Sequence, residues 1–315
     1  MATNRARVLE NFTPIYDEFM FNGYKEYKQV HEDAGFHAIT DKTYRYITNS
    51  LSGLGEWEAA DEFDDGAFAD PVPGYPKTFT QGKFLKRFKI SFEAVDMDEQ
   101  ACLSKVGLAA NMGRGANTKI ERDTAAILNT GFSTAGPDGQ YLFDSDHPKN
   151  SEETGTTYDN LLSGAFSHDN LEAAETEISD NFISEDGMPI MPSENPVLAF
   201  PPNLRGAVAR VLEERAALRP GVTTNDINRF TGSGKQFDYK PVEWWWLAAG
   251  QGRAGSDTAW YIIFKQLNHL KMIWNAKPHF TSWVDHGIEA YCFAGRMIYA
   301  CGADNWRFGF GSTGS

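Results

Sequence analysis

The sequence is short of the residues that most small-molecule chemistry needs. Three cysteines, Cys102, Cys292 and Cys301, are spread over 315 residues. An odd number at wide spacing is neither a disulfide framework nor a zinc pattern, so free thiols in a reducing compartment are expected. The seven histidines form no HxH or HxxxH pair. No C-x-x-C, H-E-x-x-H, G-x-S-x-G or complete P-loop occurs; "GRGAN" and "GSGK" (Gly232–Lys235) are only fragments of phosphate-loop spacing. Basic charge is also scarce. Lys and Arg number 29 against 43 acids, a net charge of −14, which speaks against a protein whose main task is gripping nucleic acid. No apolar run reaches the ~20 residues that span a bilayer, and the N-terminus has no apolar signal region. A chain made and kept in solution in a cytoplasm is expected.

Hydrophobic residues make up 41% and aromatics 13%, enough for a real core. The first forty residues are rich in aromatics without a clean period and read as an extended arm with at most one helical turn. Such rings need a surface to lie on. "TDKTYRYITNSL" (40–51) reads as a short helix capped by Thr40 or Asp41. The segment 53–82 is acidic and broken by prolines and glycines, whereas "KFLKRFKISFEAV" is basic and alternating. Phe84, Phe88, Ile90 and Phe92 share one face of that strand. The two halves suggest a long antiparallel hairpin held by cross-strand charge.

Val95, Cys102, Val106, Ala109, Ala116, Ile120 and Ile127 recur at helical spacing. They predict a helix over 95–130, on the order of 50 Å long, with a bend at Gly113 and Gly115. A second helix is predicted over 168–183, capped near His168 or Asp169, with Leu171, Ala174, Ile178 and Phe182 inward. "PVLAF" reads as a buried strand, and 201–218 as a helix with Leu204, Val208, Val211 and Leu212 inward. Four strand-like runs follow, the first holding Trp244, Trp245 and Trp246. The order lacks regular βαβ alternation, so the class is α+β.

The stretch "GPDGQYLFDSDHPKN" (136–150) is the one place that looks chemical. Asp144, Asp146 and His147 could hold a divalent metal and support a metal-dependent hydrolase. Against that, "GPDG" is a strong turn sequence, and short acidic side chains cap backbone amides. The turn is the better reading, so no catalytic, cofactor-binding or metal residue is assigned, and the chain is not read as an enzyme.

Three motifs carry a resemblance. "GPDGQYLFDSDHP" resembles a segment of Mu-like phage major head subunits that there follows the long helix. "NPVLAFPPNL" resembles that family's short strand and following helix. "GRMIYACGADNWRFGFGSTGS" resembles its closing segment. The chain thus resembles the major capsid proteins of tailed double-stranded-DNA phages. The resemblance implies an N-terminal arm at 1–39 and an extended hairpin loop at 52–92 lying over an adjacent subunit. It implies a peripheral domain from 40–51, 93–165 with the spine helix, and 281–315, and an axial domain at 166–280. The function implied is structural: self-assembly into pentamers and hexamers of an icosahedral head around DNA, in a virion built in a host bacterial cytoplasm. Portal, scaffolding and decoration proteins are the implied partner classes. With the first spine-related element near residue 40, a scaffold separate from this chain, or a chain already processed, is implied, and Met1 favours the former. An encapsulin-like compartment shell of the same fold is the alternative.

Overall fold

The computed structural model describes residues 5–57, 59, 61, 68, 70–97, 106–213, 216–217, 226–231 and 235–315. Helix α1 (Arg5–Glu26) opens the chain and packs along the long helix of the fold. This replaces the extended arm expected for 1–39. Tyr16 and Met20 lie one helical turn apart and are fully buried, while Ile15, Phe19 and Phe21 remain partly exposed. Aromatics on every side of α1 hide its period. A single turn α2 (Val30–Asp33) follows, then β1 (His37–Thr40) and β2 (Arg45–Thr48) where a helix was predicted. Asp41 caps no helix there: its carboxylate accepts from the Thr43 amide at 2.9 Å and from its hydroxyl at 2.8 Å, turning the chain between the strands.

β2 pairs antiparallel with β3 (Lys77–Thr80), which leads into the alternating strand β4 (Gly82–Ser91). Among the described residues, none of the acidic segment between β2 and β3 pairs with β4, contrary to the charge-matched hairpin expected. β4 instead pairs antiparallel with a strand near the far end of the chain, β14 (Ala290–Ala303). Ile90 is buried and Phe88 stacks on Phe293 at 4.8 Å. β14 and β13 (Leu270–Asp285) form a long hairpin, and the sheet runs β1-β13-β14-β4. Pro278 sits in β13 where the register shifts between Ala276 and His279, because it has no amide for the ladder. The boundary placed at 280 falls inside this continuous strand.

After a short helix α3 (Phe92–Met97), the spine helix α4 (Val106–Asn129) is described; Cys102 lies outside the described residues. Of the predicted face, Ala109 and Ile120 are buried and Ala116 and Ile127 half-buried, while the side chains of Val95 and Val106 lie outside the described residues; Met112 and Leu128, not singled out by the spacing, are also buried. The helix is continuous through Gly113 and Gly115. Gly113 exists for contact: a Cβ there would lie 2.0 Å from the Met20 carbonyl oxygen. Gly23 of α1 meets α4 equally closely, 2.2 Å from the Ala110 oxygen. Asn117 donates to the carbonyls of Tyr24 and Tyr27 at 2.9 and 3.0 Å, satisfying the end of α1.

Short hairpin strands β5 (His147–Pro148) and β6 (Thr157–Tyr158) precede β7 (Leu161–Leu162) and α5 (His168–Asn181). The cap of α5 is Ser167, whose hydroxyl accepts from the Asn170 amide. Leu171, Ala174, Ile178 and Phe182 are buried as read from the sequence. β8 (Val197–Phe200) is fully buried, but the helix after it, α6 (Arg205–Leu212), is shorter than 201–218. Ala216–Ala217 (β9) already pair with Asp226–Ile227 (β10). β11 (Lys240–Glu243) ends before the tryptophans. Trp244 is buried, its indole N–H donating to Glu121 at 2.8 Å, while Trp245 in the following turn is half exposed, so the three do not alternate on a strand.

β12 (Trp260–Ile263) and β15 (Gly309–Ser312) complete a five-stranded sheet in the order β11-β8-β12-β15-β7. Its two faces serve two cores. Val197, Ala199, Tyr261 and Ile263 face the cluster around α4, and Leu198, Phe200, Trp260 and Ile262 face the cluster around α5. Each such fully buried large side chain contributes about 1.5–3 kcal/mol. A sheet shared in this way fixes the α5 lobe to the spine lobe.

Candidate functional site

The opening of the candidate segment is a turn. Gly139 has φ +90°, and the Gly136 amide donates to the Gln140 carbonyl at 2.6 Å. Gln140–Phe143 forms no regular strand; Phe143 is held by its amide to Gly131 and by aromatic contacts with Phe132, Tyr261 and Phe308. His147 and Pro148 form the whole of β5, paired with Tyr158 and Thr157 of β6.

Asp144, Asp146 and His147 do not converge. His147 is fully buried and both ring nitrogens are taken by other groups. Nδ1 lies 2.6 Å from Asp138 Oδ2, and Nε2 lies 3.1 Å from Asn160 Oδ1. Asp144 accepts from the amides of Tyr141 and Ser145 at 3.2 and 2.8 Å, the capping role read from the sequence. Asp146 is exposed. Both His147 ring nitrogens are thus engaged, and neither Asp144 nor Asp146 is among their side-chain partners.

The hub is Asn160, which sequence reasoning missed. Its Oδ1 accepts from the Asp144 amide at 2.9 Å as well as facing His147. Its Nδ2 donates to the carbonyls of Leu142, Trp306 and Gly309 at 3.0, 3.3 and 3.2 Å. A buried asparagine therefore ties residues 142–147 to the chain's last twenty residues. The His147 ring also stacks on Trp306, with 4.5 Å between centroids and 13° between planes. The Arg307 guanidinium lies 4.4 Å from that indole. Arg307 is buried and donates to the carbonyls of Ile183 and Lys149 at 2.6 and 2.7 Å. Burial pushes its pKa down to about 10, against the pull of Glu185 and Asp138. Nothing in the spacing of Asp138, His147, Asn160, Trp306 and Arg307 signals this knot, since it joins segments up to 169 residues apart. It clamps three chain segments and leaves no group poised for reaction. Cys301 is equally unsuited to nucleophilic work: burial pushes its thiol up to about 12.

A second feature lies on the surface. The segment 51–76, between β2 and β3, holds seven acids and no Lys or Arg. Its base is anchored: the Tyr75 hydroxyl donates to the Asn150 carbonyl at 3.1 Å, and Ser50 to Glu185 at 3.1 Å. Beyond that base, Leu51 and Leu54 are 68% exposed, Trp57 98% and Phe68 99%. The solvent face of β4 presents the opposite charge, with Lys83, Arg87 and Lys89 exposed.

Comparisons with known proteins agree on one family. The family model described as "Phage capsid protein" matches residues 74–311. The Mu-like prophage FluMu major head subunit of Haemophilus influenzae is 27% identical over 109 residues, covering 35% of this chain and 35% of that protein. The match thus spans about a third of that relative's length. Among solved structures, the bacteriophage PhiM1 mature capsid aligns with a TM-score of 0.55 at 8% identity, over 91% of this chain and 87% of that one. The cyanophage P-SCSP1u capsid aligns at 0.53 and 11% identity, over 89% and 86%. The procapsid of bacteriophage JBD30 aligns at 0.50 and 15% identity, over 98% and 75%. These likenesses establish the fold of tailed-phage major capsid proteins. A motif that looked like a metal loop serves here as a structural clamp between residues 142 and 309, inside the span of the family match, and the chain belongs to the phage capsid protein family.

Proposed function

We propose that the chain is the shell-building subunit of a phage head: it self-assembles into pentamers and hexamers of an icosahedral shell that encloses double-stranded DNA. The observation that carries this reading is the nearly complete exposure of Trp57 and Phe68 on an anchored acidic segment. Rings that exposed stay in water only at a cost of several kcal/mol for the pair, and a neighbouring subunit would remove it. In that shell, the α1–α4 layer and the β13–β14 sheet would form the peripheral part, and the lobe around α5 and α6 the axial part. The net charge of −14 suits a container that must hold DNA without trapping each segment. Portal, scaffolding and decoration proteins are the partner classes such a head requires, the virion is its location, and the host bacterial cytoplasm is where it would be made. No catalytic role is proposed.

An encapsulin-like compartment of the same fold would use the same assembly physics, and family membership favours the phage reading. Particle contents separate the two. Shells purified from infected or induced cells should hold nuclease-protected DNA. Shells holding one enzyme as cargo, and no DNA, would refute the phage-head reading.

A further inference from the structure

The first turn of α5 contains a histidine with nothing to bond. The His168 side chain is nine-tenths buried, and neither ring nitrogen has a hydrogen-bond partner. One edge of the ring is met by Phe230, with 4.9 Å between ring centres. Leaving buried polar atoms unpaired costs about 1–3 kcal/mol each, so a ring placed there only to fill space is an expensive choice. The ring nitrogen faces carboxylates. His168 Nδ1 lies 3.8 Å from Asp169 Oδ1, too far for a hydrogen bond. One ligand atom each from His168, Asp169 and Glu172 lies within 4.8 Å of the others. A tetrahedral ion with ligands near 2.1 Å needs donors about 3.4 Å apart. The gap closes by rotation of Asp169, which is 60% exposed on its side chain, and of Glu172, which is 38% exposed.

We propose that His168, Asp169 and Glu172 bind one divalent transition-metal ion of the zinc class, with water in the fourth position. One imidazole and two carboxylates suit a borderline ion, whereas calcium and magnesium favour larger all-oxygen sets. Two charges oppose the ion. The start of a helix carries about half a positive charge, and Arg229 Nη1 sits 2.8 Å from Glu172 Oε1. The two carboxylates outweigh the helix end. Arg229 also bonds Glu175, so it stays anchored if Glu172 turns toward the ion. The ion would cross-link three side chains within the first turns of α5. The proposal does not depend on shell assembly and is tested on the unassembled subunit.

The experiment is titration of the metal-free full chain with Co2+, followed by displacement with Zn2+. Visible bands of tetrahedral Co2+ saturating at one equivalent, and bleached by Zn2+, are expected. His168→Gln should abolish them. Asp169→Asn, on an exposed side chain, should weaken binding at least about tenfold. Absence of bands at excess Co2+, or bands unchanged in His168→Gln, would overturn the proposal. If His168→Gln does not fold, an unchanged affinity in Asp169→Asn overturns it instead.

Discussion

Two glycines two residues apart in α4 should respond to alanine with opposite signs. Helix propensity treats them alike: Gly→Ala in a helix interior gains up to about 1 kcal/mol. Their surroundings differ. A Cβ on Gly115 meets nothing within 4 Å. A Cβ on Gly113 would sit 2.0 Å from the Met20 carbonyl oxygen and 2.7 Å from the Tyr24 amide nitrogen, both backbone atoms of α1. Ordinary contact begins at 3.4 Å. The obstacle cannot rotate away, so α1 and α4 must part by about 1.4 Å, the difference between those two separations. A gap of 0.5–1 Å already forfeits a quarter to a half of a dispersion contact. The losses would fall on Tyr16, Met20, Ala109 and Met112, which share one buried cluster. Overpacking costs about 1–3 kcal/mol, and backbone against backbone belongs at the upper end. Subtracting the propensity gain leaves Gly113→Ala about 2 kcal/mol less stable than the parent. Gly115→Ala should be up to about 1 kcal/mol more stable. Denaturant unfolding of the unassembled subunit reads both as shifts in midpoint at constant slope. Two shifts of the same sign would refute the close crossing of α1 on α4.

Three further outcomes follow from named contacts. Asn160→Ala removes a side chain with hydrogen-bond distances to five groups at a fully buried site. Its two N–H groups are shared among three carbonyls, so at about 1 kcal/mol per bond the loss should be on the order of 4 kcal/mol by denaturant unfolding, and a loss below about 1 kcal/mol would contradict the hub. At Asp304, burial pushes the carboxyl up, but hydrogen bonds and charge from His269 and Lys271 outweigh it and hold the pKa below its ordinary 3.8. A depressed carboxyl stabilises the fold above pH 3.8 and loses that contribution as pH falls through its folded-state value. Asp304→Asn should therefore cost on the order of 1–2 kcal/mol at pH 7, with the gap closing in acid; a gap that is constant with pH would contradict it. Trp57→Ser with Phe68→Ser should leave the melting temperature of the free subunit within about 1 °C, because neither ring is covered, while reducing the yield of shells in the electron microscope. A large drop in melting temperature would mean that the rings serve the subunit's own fold.

The legible parts of the sequence were those with one buried face. Leu171, Ala174, Ile178 and Phe182 repeat every three or four positions, and the α5 lobe buries them together. The alternation through Phe84, Phe88 and Ile90 marked β4, because one face of that strand packs on the clusters shared with α1 and α4 and the other meets solvent. Where both sides of an element are apolar, the period vanishes. α1 carries Ile15, Phe19 and Phe21 on its outer sides, so the burial of Tyr16 and Met20 could not be picked out. Pairing partners were less accessible still. The acidic run and β4 looked complementary, but β4 found β14 more than 190 residues away. The candidate site failed as chemistry for a similar reason. Asp144 and His147 are close in sequence, yet each is claimed by a group that local spacing does not reveal, Asn160 above all. The motif's likeness to a capsid segment carried more information than its carboxylates.

The central claim is that this chain builds a closed shell. Electron microscopy of the expressed chain, alone and together with a candidate scaffolding protein, tests it most directly. The account expects closed particles of uniform diameter whose walls resolve into rings of five and six subunits. Discrete monomers under every condition, including with the scaffold present, would contradict it.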